Sequence, residues 1–504
     1  METVTSNYRK KVGNVQTTVE LSIRTTNEEE IAKVLGVDGK AYVSSMEILN
    51  GEANYQVNGK FTLCYLNQDK QICTADEKVT VNGKFEDNTL SSTMEPLYKV
   101  EVVDVQILSA NSMEVKVQAT LEITLDVLDN FVIDAFAPTD DNVLVKSDTQ
   151  FLTTKTDVGK AVFNVEDEFE LKQPVNKVLL TSTNICVKQV TSGTGYFTVD
   201  GEVYVKAYLC YNDGENTMYK PFCETIPFKE EIDAENVNKD SILETNIALK
   251  YDEVALQVNQ ENENYFLKAT FPLCVKYVVL NKMECTLPCD CYSLTHKLNL
   301  VTDTYFVNAE NSALANKHIE GNLEINENMA RIGKILMISG VNLNITNAVC
   351  GENSVSVEGI LTANVVYLAD DEDETTNSVT VEIPFAINLD VDGVKEGNDL
   401  FVGGDVVDIT AKAKKGKDIE IEAEISFRVN NYSKTAQTFV KEIVLTEELA
   451  QNPYPLEIYL APAGASLWDI AKHLNVREDM IVAQNPEAVF PLDAPQSIVY
   501  FAHK

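Results

Sequence analysis

Chemistry in this chain of 504 residues would need reactive or ligating side chains at workable spacing, and few stretches offer them. Cys285-Thr286-Leu287-Pro288-Cys289-Asp290-Cys291 gathers three thiols around one carboxylate. Gaps of three residues and then one are not a zinc signature, and His296 is the only imidazole close by. The stretch reads as reduced, partly buried thiols in a turn. Asp370-Asp371-Glu372-Asp373-Glu374 has the charge for calcium but lacks the glycine and spaced ligands of an EF-hand loop, so it reads as a solvated turn. His296, His318, His473 and His503 are scattered, which leaves acid–base work to carboxylates, and none stands out from the acidic surface. Neither a phosphate-binding glycine loop nor a nucleophile elbow occurs in the sequence. The expectation is a non-enzymatic chain with no catalytic residue, no cofactor and no metal site.

Recognition is better served, by residues 455–504. They hold the sole tryptophan, Trp468, within Gly464-Ala465-Ser466-Leu467-Trp468-Asp469-Ile470-Ala471-Lys472-His473-Leu474. Ser466 can cap a helix, with Asp469 completing the capping-box pattern three residues on. Leu467, Ile470, Ala471 and Leu474 then share one apolar face, and Trp468, Asp469 and Lys472 lie off it. A second helix is predicted from about Glu478 to Gln484, with acidic residues in its first turn and Met480 and Ile481 on its buried side. Residues 456–460 alternate as an opening strand, and residues 498–501 read as a closing one. The candidate binding residues are Gly464, Ala465, Ser466, Leu467, Trp468, Lys472, Asn485 and Pro486. Trp468 has two readings, as the piece that finishes a very small core or as an anchor on a partner-binding face. Residues 446–455, with Pro453 and Pro455, read as a linker.

The rest of the chain must position this module. With 41 Lys and Arg against 78 Asp and Glu, the net charge is −37, a field that repels nucleic acid and anionic lipid. A hydrophobic fraction of 44% is ordinary for globular protein and predicts buried cores in several domains. The N-terminal residues lack the apolar segment of a secretory signal, and no run nears the roughly 18 apolar residues of a membrane span. A soluble protein of the cytosol is expected. Cys64, Cys186, Cys210 and Cys274 sit in apolar strand-like runs, where a free thiol behaves as a small hydrophobe.

Before residue 455 one unit is written three times. Ile31-Ala32-Lys33-Val34-Leu35 returns as Val175-Asn176-Lys177-Val178-Leu179 and as Ile332-Gly333-Lys334-Ile335-Leu336. A Val-x-Gly phrase ends at Gly59, Gly201 and Gly359, which lie 26, 24 and 25 residues beyond Lys33, Lys177 and Lys334. Ala119, Ala269 and Ala423 follow after 60, 68 and 64 more residues. Ordered anchors with near-constant gaps point to triplication. From Glu114, Val115, Val117, Ala119, Leu121, Ile123, Leu125 and Val127 alternate with polar residues. Ile419, Ile421, Ala423, Ile425, Phe427 and Val429 do the same, as strands with one dry and one wet face. Each glycine is expected at a bulge or at a close backbone approach, in a strand that ends near Tyr65, Tyr208 and Tyr367. Hairpin tips are predicted at residues 67–70, 212–216 and 370–374. The fold class is therefore mainly β: three tandem antiparallel β-sandwich-like domains at 8–150, 151–305 and 306–446, then a small α+β (βααβ) module at 455–504.

The module resembles a LysM domain, through Gly464-Ala465-Ser466-Leu467-Trp468-Asp469-Ile470-Ala471, Asn485-Pro486 and the closing stretch from Pro491 to Tyr500. The family has Asp where Ala465 stands, and a glycine near Pro495-Gln496. Those positions fall in or near the loops that bind N-acetylglucosamine polymers in LysM domains. The repeated Lys-(Val/Ile)-Leu, Val-x-Gly and Tyr phrase resembles the SPOCS domain of endospore-forming bacteria. The whole layout is similar to SipL-type spore morphogenetic proteins. That resemblance implies a spore-coat adaptor in the mother-cell cytoplasm, at the forespore surface or spore coat. Its LysM surface would bind the coat morphogenetic ATPase. The alternative it leaves is a wall-binding protein whose ligand is peptidoglycan.

Overall fold

The computed structural model describes residues 2–25, 29–213, 216–261, 264–324, 329–372, 374–414, 417–450 and 455–501. Residues 451–454 of the expected linker, 214–215 of the second expected hairpin tip, Asp373 and His503 lie outside the described residues. The chain is mainly β, and the described residues contain two short helices.

Strand pairing repeats along the chain, always antiparallel. The first set is β1 (Glu2–Arg24), β2 (Ile31–Leu49), β3 (Glu52–Asn67), β4 (Ile72–Glu86), β5 (Glu95–Ala110) and β6 (Glu114–Ala135), in sheets ordered β1-β6-β5 and β2-β3-β4. The second is β7 (Val143–Leu171), β8 (Lys177–Ser192), β9 (Tyr196–Asp213), β10 (Asn216–Asp233), β11 (Ile242–Leu249), β12 (Ala255–Glu261) and β13 (Asn264–Ser293). Here β13 lies between β7 and the broken pair β11 and β12, beside a sheet ordered β10-β9-β8. The third is β14 (His296–Glu324), β15 (Ile332–Cys350), β16 (Ser354–Ala369), β17 (Thr376–Asp390), β18 (Asp399–Lys414) and β19 (Asp418–Glu448), in sheets β14-β19-β18 and β15-β16-β17. Strand β7 runs without a break through position 151, and β14 through position 306.

The alternation read from the sequence becomes burial. Val115 through Val127 at every second position of β6, and Ile419 through Val429 of β19, are fully or almost fully buried. Each faces a second sheet across a shared core: Val57, Phe61 and Tyr65 for β6, Phe197, Val199 and Val203 for β13, and Val357, Leu361 and Tyr367 for β19. Gly201 and Gly359 lie opposite Phe228 and Phe385 in register. A Cβ on Gly201 would sit 2.5 Å from the Cys186 carbonyl oxygen and 2.6 Å from the Phe228 ring. Close backbone approach, closed over by an aromatic ring, is thus what this glycine serves.

Two further apolar clusters join the three sets. Leu35, Cys64, Leu66 and Ile72 of the first meet Leu179 and Tyr208 of the second and Met337 and Val366 of the third. The joint closes through hydrogen bonds as well. Ile72 N donates to Tyr219 Oη (2.9 Å), Ile338 N to Tyr208 Oη (2.8 Å) and Asn364 Nδ2 to Leu35 O (2.9 Å). The repeated Lys-(Val/Ile)-Leu phrase lies at this joint, and β2, β8 and β15 all slip register within or directly after it. A slip of one residue redirects side chains from one face of a strand to the other, here out of a core and into the joint. The second cluster brings together the far ends of the long strands: Ile133 and Ala135 of β6, Leu152 of β7, Cys285 and Leu287 of β13, Tyr305 of β14 and Phe439 of β19.

Candidate functional site

The C-terminal module comprises β20 (Leu456–Ala461), α1 (Leu467–Leu474), α2 (Glu478–Gln484) and β21 (Gln496–Phe501). The capping box forms as its residues predict: Asp469 N donates to Ser466 Oγ and Ser466 N to Asp469 Oδ2, each at 3.2 Å. The Ser466 hydroxyl, donating to Asp469 Oδ2 at 2.7 Å, and then the Ser466 backbone N–H hold the Asp469 carboxyl below the usual range, with burial opposing them. Asn475 ends α1 in the left-handed conformation. Ile470, Ala471, Ile481 and Ile498 make the module's core, with Leu467 half-buried at its edge. Ile481 alone of α2 is fully buried, and Met480 is only half-buried, because a seven-residue helix presents barely two turns to so small a core.

The decisive contacts reach outside the module. Trp468 is 8% exposed, and what covers it is the end of β13. Its Nε1 donates to Asp290 Oδ2 at 2.8 Å, and its ring meets Tyr292 edge-on at 4.8 Å and 70°. Lys472, one turn further along α1, places Nζ 2.6 and 2.8 Å from the two Asp290 oxygens. Tyr292 Oη donates to Val476 O at 2.6 Å, between the helices. Arg477 Nη2 donates to Asp141 O at 2.8 Å, and Leu144 and Leu294 pack against the same cluster. One carboxylate therefore takes both donors of the helix face, an arrangement stronger than a neutral hydrogen bond.

The other candidate residues have different surroundings. Gly464 N donates to Leu492 O (2.6 Å) and Leu492 N to Ala465 O (3.1 Å), so the loop after β20 is stitched to the loop before β21. Gly464 has φ of +80°, which glycine adopts without strain, and Ala465 is buried. Asn485 ties α2 to β21: Nδ2 donates to Ile481 O (2.9 Å) and Val499 O (2.8 Å), while Val499 N donates to Oδ1 (2.8 Å). Pro486 is exposed. Trp468 and Lys472 thus share one site with Asp290 and Tyr292, while Gly464, Ala465 and Asn485 hold the module together.

Asp290 lies within the cysteine stretch expected to be a turn, with Tyr292 directly after it, and that expectation is corrected. The stretch is the end of β13, whose register slips between Pro288 and Asp290. Proline is tolerated at such a bulge, so Pro288 marks an irregular strand rather than a turn. Cys285 and Cys291 are buried and Cys289 half-buried. Burial first, then Asp290 and Cys289, pushes the Cys291 thiol up to about 12, which keeps it protonated and a poor nucleophile at neutral pH. His318 lies between Glu424 (2.7 Å) and Glu320 (3.1 Å), whose hydrogen bonds raise its pKa. His473 stacks on Tyr459 at 4.2 Å. A cavity of about 610 Å³ between the first and third strand sets is lined by Arg9, Lys99, Phe401 and Tyr432. Arg9 already pairs with Asp126 at 2.6 Å and lies 4.0 Å over Tyr432, so its charge is answered by the walls of that cavity.

Among known proteins, residues 331–414 match the family model described as SipL, SPOCS domain. That span takes in all of β15 to β18 and ties the chain to sporulation. No curated protein and no solved structure matches the chain.

Proposed function

We propose that this chain is a non-enzymatic adaptor of spore-coat assembly, acting in the mother-cell cytoplasm at the forespore surface. Residues 8–150, 151–305 and 306–446 are read as three SPOCS-like β-domains that form its scaffold. Residues 455–504 are read as a LysM-like module, which captures a coat morphogenetic ATPase and so helps tether the coat. The observation that carries the reading is the match of residues 331–414 to the SipL, SPOCS domain. The recurrence of the same strand pairing on both sides of β14 supports extending it beyond that span.

Support against a glycan ligand comes from the stitched loops. Gly464 and Ala465 are bonded to Leu492 where a LysM groove would open. The experiment is a pair of binding assays on the full chain, one with the immobilised coat ATPase and one by sedimentation with insoluble peptidoglycan. Retention on the ATPase without sedimentation is expected. Sedimentation without retention would replace the adaptor with a wall-binding protein.

A further inference from the structure

We propose that the Trp468–Lys472 face of the module is a receptor for an extended segment that presents a carboxylate and, two residues on, an aromatic ring. In this chain β13 supplies that segment from within. The proposal rests on the reading of the module as the partner-binding part, and names the chemistry that its helix face accepts.

The side-chain donors of Trp468 and Lys472 are both answered by one carboxylate of β13, and its Tyr292 covers the indole. Asp290 accepts from the Trp468 indole and from the Lys472 ammonium, at 2.8 and 2.6 Å. Tyr292 lays its ring against the indole and spends its hydroxyl on Val476 O. Residues two apart on a strand share a face, separated by about 7 Å, which matches a carboxylate site and an adjacent aromatic site on a short helix. The register slip at Cys289 sets which residues of β13 turn toward the module. A neutral sugar could stack on the indole, yet it would leave the Lys472 charge unanswered. An acidic, aromatic strand satisfies both, which is how the face discriminates.

Asp290 and Tyr292 are joined to the module by the chain itself. A tethered occupant competes at an effective concentration of order millimolar when its linker spans the sites. A partner segment of the same chemistry must therefore displace β13 before it can bind. The resting chain keeps its apolar indole covered.

Trp468 is the only tryptophan, so its emission in the full chain reports the contact directly. Asp290→Lys should red-shift that emission and raise acrylamide quenching several-fold. Lys472→Glu, at a half-exposed position, should do the same from the module's side. The double variant, with the charges exchanged, should return both readings toward those of the parent, which a merely misfolded protein would not do. The Asp290→Lys chain is then titrated to millimolar concentration with a synthetic peptide of residues 286–294, both cysteines replaced by serine. Quenching protection should return with this peptide, and should fail with a peptide carrying Lys in place of its Asp. Unchanged emission in both single variants would overturn the docking. Exposure without rescue by the acidic peptide would overturn the receptor. Neither result depends on ATPase capture, so a failure here is separate from a failure of the adaptor reading.

Discussion

Trp468 gives its single N–H to a carboxylate 178 residues earlier in the chain, and this one bond explains why its role was only half legible. Helical spacing sets it off the face of Leu467, Ile470, Ala471 and Leu474, yet it is buried in one cluster with them. The spacing could not show that Tyr292 would cover it, because nothing local encodes a contact made by a bulged strand. Ser466 and Asp469 were legible for the opposite reason, since a capping box is written within four residues. Ser466→Ala should destabilise α1 by about 0.5–2 kcal/mol, read as faster amide exchange confined to the module. Trp468→Ala removes a buried ring, a change that costs about 3–5 kcal/mol in a closed core. It should lower the module's thermal transition while that of the β-scaffold stays within a degree or two of its parent value. A fall of equal size in both would show that the module and scaffold melt as one body.

The strands were the most legible elements. A period of two along β6 and β19 needs no tertiary knowledge, because one face of a half-buried strand must be apolar. The glycine anchors followed too, and Gly201→Ala should cost about 1–3 kcal/mol by overpacking against Cys186 O and Phe228, seen as a lower urea midpoint. Bulges escaped, since a register slip leaves no compositional mark when its residues are as ordinary as Val34, Leu35 and Gly36. Asp405 on β18 is half-buried beside Arg428, Lys40 and Tyr251, and the loss of solvent around it outweighs the two cations to raise its carboxyl to about 6 from 3.8. The folded chain then holds this proton more tightly than the unfolded chain. Stability falls as pH rises from about 4 to about 6 and levels off above that window. Asp405→Asn should therefore exceed the parent in stability above pH 6.5, by an amount on the order of 1–3 kcal/mol, and match it near pH 4. Urea melts at those two pH values check the sign, and a difference independent of pH would contradict it.

The whole molecule is a set of recurring strand pairs drawn together at two apolar clusters, with the module seated where the long strands end. The recurrence was visible in the anchors' spacing, but the closing of the joint was not. Leu35, Leu179 and Met337 look like core residues of separate domains until the register shows them meeting. The net charge of −37 sets a negative field around the body, so any capture of a basic surface should weaken as salt rises. On the proposed function the scaffold carries and the module captures. Binding of the coat morphogenetic ATPase is then compared between the full chain and a chain ending at residue 450, at the same ionic strength. Removing the module should cost at least a hundredfold in affinity, with the scaffold still folded by its β-sheet circular dichroism. Equal affinity of the two chains would contradict it.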